Sequence, residues 1–179
     1  MMASSMYFKR VSILLLVVSL TGCACTGTPE IRVSALVEPS YAEPTPLQHF
    51  NVKDQWNDHG IMLVKGHKYR FTAVAKNWVD NGIVSSLEQG WLETPTLMSK
   101  ILKPMSFLRR NAEAPWYALV GAIRDEQGNE QCFKAVDATR PVFEATLTGR
   151  LFVFANDYPA KSIYDNNEGE LDLSIIRVE

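Results

Sequence analysis

Between residues 156 and 169 the chain gathers hard oxygen donors. Asp157 and Asp165 bring carboxylates, Asn156, Asn166 and Asn167 bring amide oxygens, and Ser162 brings a hydroxyl. Calcium takes about six to eight such oxygens in flexible geometry. The stretch holds no histidine or cysteine, which argues against zinc. Asp, Asn and Gly are also the residues that loops use to turn. Composition alone therefore leaves two readings open, a cation loop and a plain connection.

Other chemistry is sparse. The chain has no GxSxG elbow, no HExxH, no Walker loop and no GxGxxG. His49, His59 and His67 fall in turns or at loop edges, and none pairs with a serine or cysteine at a telling spacing. The expected protein is not an enzyme. Trp56, Trp78, Trp91 and Trp116 are either sugar-stacking platforms or core packing, and buried tryptophans are the commoner case. Trp78 is the candidate platform, because its loop is expected beside Asp157.

The oxygen-rich stretch needs elements to hold it. Before it runs the apolar segment 151–155. After Gly169, Leu171, Leu173 and Ile175 alternate with Asp172 and Ser174. Two strands joined by a loop are predicted. Upstream, residues 56–60 read as a turn, 61–64 as a short strand, and Lys65-Gly66 as a tight connection. Tyr69, Phe71, Ala73 and Ala75 alternate with polar residues as in a half-buried strand, which leads into the polar loop 77–82. Residues 115–124, 132–136 and 142–147 give further strands, with a turn at 125–130.

One stretch is helical, residues 93–111. Thr94 is placed to cap it, Pro95 suits the first turn, and Pro104 should split it into two short helices. Lys100, Lys103, Arg109 and Arg110 make it basic, either as a solvated face or as a contact for headgroups or a partner. Many short strands with one helical insertion predict an all-β sandwich of jelly-roll type over residues 48–179.

The N-terminal part reads as an address. Lys9 and Arg10 precede the apolar stretch 11–20, which is too short to span a bilayer and fits a signal peptide over residues 1–22. Leu20-Thr21-Gly22-Cys23 resembles a bacterial lipobox, which makes Cys23 the lipidation site. More than one acyl chain, palmitate-like, would hold the protein on a membrane. Ala24, with no aspartate after the cysteine, implies the outer membrane by the family sorting rule, on its periplasmic side or the cell surface. Residues 23–47 carry Pro29, Pro39, Pro44 and Pro46 and read as a flexible tether, in which Ile31, Val33, Leu36 and Val37 could form a short strand or docking segment. Cys25 and Cys132 could pair, but a small buried residue at Cys132 is the preferred reading.

The formal net charge is −2; removing residues 1–22 takes away Lys9 and Arg10 and no acid, leaving about −4. Such a chain has no basic excess for nucleic acid.

From about Trp56 to Val178 the chain resembles the LecA-type (PA-IL-like) bacterial galactose-binding lectins, which are small β-sandwiches. Three blocks carry the likeness: Gly60-Ile61 through Lys65-Gly66 to Trp78, Ala118 through Ile123, and Asn156-Asp157-Tyr158-Pro159 followed by Tyr164-Asp165-Asn166-Asn167-Glu168-Gly169. The last matches the family's calcium-loop skeleton, ND-x-P and Y-x-NN-x-G. The resemblance implies a galactose-binding-like fold. It implies calcium held by the side chains of Asp157, Asn166 and Asn167, by the Asn81 carbonyl, and by Ser162 in place of a threonine. A saccharide would bind through the metal, with Trp78, Asp157, Asp165 and Asn166 at the ligand. The segment from Asp157 to Tyr164 is two residues longer than in the family. The insertion 93–111 occupies the region of the family's sugar-contacting histidine and glutamine. The alternative is a structural or assembly lipoprotein of the envelope that binds a protein partner.

Overall fold

The computed structural model describes Pro29, Ile31 and residues 35–179. The signal segment, the lipidation site Cys23, and Cys25 lie outside the described residues.

The chain folds as an all-β sandwich of two antiparallel sheets. One has six strands. In it β1 (Gln48–Asn51), β10 (Asn167–Arg177), β3 (Lys68–Asp80), β4 (Ile83–Ser86) and β5 (Gly90–Trp91) lie side by side, and β8 (Phe143–Glu144) pairs with the start of β3. The other has four, in the order β2 (Asn57–Leu63), β9 (Gly149–Ala155), β6 (Leu119–Arg124) and β7 (Glu130–Lys134).

The two sheets explain two sequence patterns. Alternation on β3 and β10 makes the six-stranded sheet one-sided. Tyr69, Leu171, Leu173 and Ile175 are buried in the core, while Val74 faces water. The apolar runs of β6 and β9 are buried on both faces. Leu119, Ile123, Leu151 and Val153 point into the main core. Val120, Ala122, Phe152 and Phe154 point the other way, into a second cluster closed by Trp56 and Ala114.

The helical stretch forms as two pieces around Pro104, as expected. They are α1 (Leu97–Leu102) and a single 3-10 turn (Ser106–Leu108). Thr96, not Thr94, is the cap. Its side chain accepts from the Ser99 N–H, and the Ser99 hydroxyl accepts from the Thr96 N–H, closing a capping box. Residues 56–60 are not simply a turn. Asn57–Gly60 belong to β2, with a register irregularity between Asp58 and Met62.

From Val37 on, the segment read as a tether is docked. Val37 bridges Ile61, and Tyr41 bridges Arg177. The Glu38 carboxylate accepts from the Tyr69 hydroxyl (2.9 Å) and Arg177 (3.1 Å), and meets His67 Nδ1 at 2.6 Å. Among the described residues no helix is long and apolar enough to cross a membrane. Cys132 is not a free core residue: it is half-buried on the outer side of β7 and disulfide-bonded. The main core takes its neighbour Phe133 instead.

Candidate functional site

Two turns meet at one end of the sandwich. β3 turns into β4 through Asn81-Gly82, with φ of +44° and +80°. Asparagine tolerates this left-handed region and glycine enters it freely, so Asn-Gly suits a two-residue hairpin. The turn leaves Asp80 as the last residue of β3, and the β3–β10 register places Asp80 opposite Asn167. The second turn leaves β9 at Asn156-Asp157 and returns through a single helical turn, α2 (Lys161–Tyr164). β10 then starts at Asn167 itself, so Gly169 is not the end of the loop. It sits inside the strand at φ +127°, where the pairing with β3 slips by a residue.

Asn156 is buried and bound to the chain around it. Its Oδ1 accepts from the Asn111 N–H at 2.9 Å, and its Nδ2 reaches the carbonyls of Asn111, Ala114 and Pro115, each at 2.9 Å. It positions the site and offers no oxygen to a ligand. Arg110 anchors the insertion beside it. Its guanidinium lies 3.4 Å from the centre of the Phe154 ring and 3.9 Å from that of Trp56. It donates to the Gln55 carbonyl and to the Tyr164 hydroxyl. Burial pulls the Arg110 pKa down and pushes that of Tyr164 up to about 12.

Asp157 is 3% exposed. Its Oδ1 accepts from the Tyr158 N–H at 2.7 Å, while its Oδ2 is buried with no hydrogen-bond partner. Burial first, and the charge of Asp80 second, push its carboxyl up to about 7. The Asn167 amide pulls the other way from beyond ordinary hydrogen-bond geometry, and its Oδ1 and Nδ2 are likewise buried without partners. Burial also raises the Asp80 carboxyl, against the hydrogen bond it takes from Trp91 Nε1 at 2.7 Å. Beside these groups opens a cavity of about 270 Å³. Asp80, Asn81, Asp157 and Asn166 line its polar side, and Met98, Leu102 and Leu108 of the insertion line the other.

The candidate residues thus divide. Asp157, Asn81 and Asn166 line one cavity, and Asn167 is buried against Asp157. Ser162 lies exposed on α2, outside the cavity lining, because the one-turn helix carries it away. Asp165 is also exposed and outside. Trp78 is no platform. It is buried in the core, and its indole N–H donates to the Tyr117 carbonyl at 2.8 Å. The residue that sequence reasoning missed is Asp80. Its signal was the Asn-Gly pair that follows, which fixes the strand end and so puts Asp80 at the turn.

Buried polar atoms nearly always find partners, and the unpartnered oxygens of Asp157 and Asn167 are free to accept one. The donors are all hard oxygens, and they fit calcium. Among the described residues no group of three or more His, Cys, Asp or Glu is placed to hold a metal. Carboxylate and amide oxygens together make up this set. The chain matches no protein-family model, no curated protein and no solved structure.

Proposed function

We propose that the domain is a non-catalytic, calcium-dependent carbohydrate-binding module, carried on the outer membrane by an acylated Cys23. The observation that carries this reading is the pair of unpartnered buried oxygens, Asp157 Oδ2 and Asn167 Oδ1, behind an open cavity. Asp157, Asn166, Asn167 and the Asn81 carbonyl would hold the ion. Bound there, calcium supplies a Lewis-acidic centre for two neighbouring hydroxyls of a sugar. The chain's own residues do the rest. Asn156 fixes the Asp157 backbone, the Asn81-Gly82 turn presents a carbonyl, and the insertion walls the cavity. Ser162 is left out of the set, since its position on α2 gives it no part in the cavity.

Calorimetry on the full chain tests the reading, first with calcium and then with galactosides in its presence. Heat from calcium alone supports a cation module with another ligand. Heat from neither at millimolar concentration removes the lectin reading.

A second reading, an envelope lipoprotein that binds a protein partner, has its own observation. Leu97, Met98, Ile101 and Phe107 of the insertion are exposed, with Lys100 and Lys103 among them. Removing the insertion cannot test it, because Arg110 and Asn111 are part of the core. Leu97→Ser with Phe107→Ser does so in a pull-down. Unchanged capture of a partner by that variant counts against this face as the contact.

A further inference from the structure

We propose that Asp80 is a second carboxylate ligand of the cation, so that the ion sits between two buried aspartates at the ends of different strands. Neither the composition of the final loop nor the lectin resemblance assigns Asp80 a role. The proposal rests on the calcium reading and goes beyond it in naming the charge of the cage.

Asp80 and Asp157 are 5% and 3% exposed. They come from the ends of β3 and β9, and each lines the same cavity. Two buried carboxylates that line one cavity disfavour each other's ionisation, and the charge of Asp80 acts on Asp157. Structures that keep such a pair usually neutralise it with a basic side chain, a shared proton or a metal. The nearby basic group is Arg110; its Nη1 donates to Gln55 and Tyr164, its Nε and Nη2 are buried without a partner, and its charge offsets only part of the burial that raises the Asp157 carboxyl. Among the described residues it makes no ion pair with either aspartate, and neither aspartate belongs to one. Among the described residues only the Trp91 indole hydrogen-bonds the Asp80 carboxylate, and it takes one oxygen, Oδ2. Both aspartates line the cavity, and Asp157 Oδ2 is unpartnered. Asn167, which lies opposite Asp80 in the sheet and contacts Asp157, closes the third side with an unpartnered amide. A hard divalent ion would give the two carboxylates and the Asn167 Oδ1 one common partner.

Asp80 also carries the site into the insertion. Its partner Trp91 stacks on Trp116 at 5.2 Å and 8°, and the Trp116 indole donates to the Leu102 carbonyl at 2.8 Å. An ion drawing charge from Asp80 therefore pulls on an acceptor that Trp91 senses directly.

The test uses the full chain with calcium, and with terbium as a luminescent stand-in. Excitation of tryptophan should give terbium emission that calcium displaces, since Trp91 touches a ligand. Asp80→Asn keeps an acceptor for the Trp91 indole and removes the charge. It is expected to weaken calcium at least tenfold, as is Asp157→Asn, and to leave melting in chelator no lower than that of the unaltered chain. A second readout needs no change at Asp80. In ¹⁵N–¹H spectra the Trp91 indole resonance, identified with Trp91→Phe, should move when calcium is added. If the unaltered chain binds calcium but Asp80→Asn binds it equally well, or the Trp91 resonance stays in place, the assignment of Asp80 is overturned and the calcium reading stands. If the unaltered chain shows neither displaceable emission nor calcium heat, the calcium reading falls and Asp80 falls with it.

Discussion

Asn156 and Asn111 hold each other through two opposed bonds. The Asn156 side-chain oxygen accepts from the Asn111 N–H and its amide donates to the Asn111 carbonyl, both at 2.9 Å. This pair fastens the end of the insertion to the strand end that carries Asp157. Asn156→Ala should leave several buried backbone groups unpaired and cost about 3 kcal/mol or more. Asn156→Asp should do no better, because it turns a carboxylate toward carbonyls. Urea unfolding of both variants checks this, and a loss under about 1 kcal/mol would mean that the clamp is not structural.

Arg110 should be irreplaceable by lysine. Its guanidinium sits against two aromatic rings that are tilted 69° to each other, while its Nη1 donates to Gln55 and Tyr164. An ammonium has no plane to stack. Arg110→Lys and Arg110→Ala should each cost about 3–5 kcal/mol, as for other broken buried charge networks. Tryptophan emission should also report loosening of the insertion at lower denaturant than global unfolding. Full stability in the lysine variant would refute the stacking argument.

Metal-free stability should fall as the solution becomes neutral. The folded chain keeps the Asp157 proton up to about pH 7, whereas the unfolded chain loses it near the ordinary aspartate value of 3.8. Between those limits the folded state binds more protons, so this group's contribution is present below about pH 4 and is lost as pH rises through 7. Because other carboxylates slope the opposite way, the measurement is the difference between the unaltered chain and Asp157→Asn in chelator. That difference should shrink from pH 4 to pH 7. Calcium should reverse the trend, since it binds the ionised form. A difference that is flat with pH would sink the claim.

Gly169 should tolerate no side chain. At φ +127° an added Cβ would overlap the Asn77 carbonyl. Gly169→Ala should cost about 2 kcal/mol or more. Because the same irregularity sets which β10 residue faces Asp80, the variant should also weaken calcium. Unchanged melting would show that the strand can slide past the contact.

The sandwich was legible because its signals are local. Alternation along β3 and β10 and the apolar runs of β6 and β9 each state how many faces are buried. Pro104 announced the break in the insertion. The clustering of Asp157, Asn166 and Asn81 at one cavity was legible through the resemblance rather than through any pattern of their own. Other features depended on tertiary context. The one-turn α2 that carries Ser162 off is too short for periodicity to reveal. Trp78 lies in the core because its side of β3 faces inward, and four residues of loop-like sequence concealed the strand. Asp80 belongs to the site only because β3 and β10 pair in one register. The disulfide state of Cys132 leaves no trace in spacing.

The Glu38 latch and the paired aspartates lie at opposite ends of β3, which runs for 13 residues, or about 40 Å. Pro29, Ile31 and Leu36 share the latch's end, beside Arg124–Gly128. Cys23 precedes Pro29 by six residues, a length of chain that reaches at most about 20 Å when extended. On the proposed acyl anchor at Cys23, this pole would lie nearer the membrane than the pole that carries the carboxylates. The molecule would then face whatever lies across the gap, with its back to the leaflet that holds it.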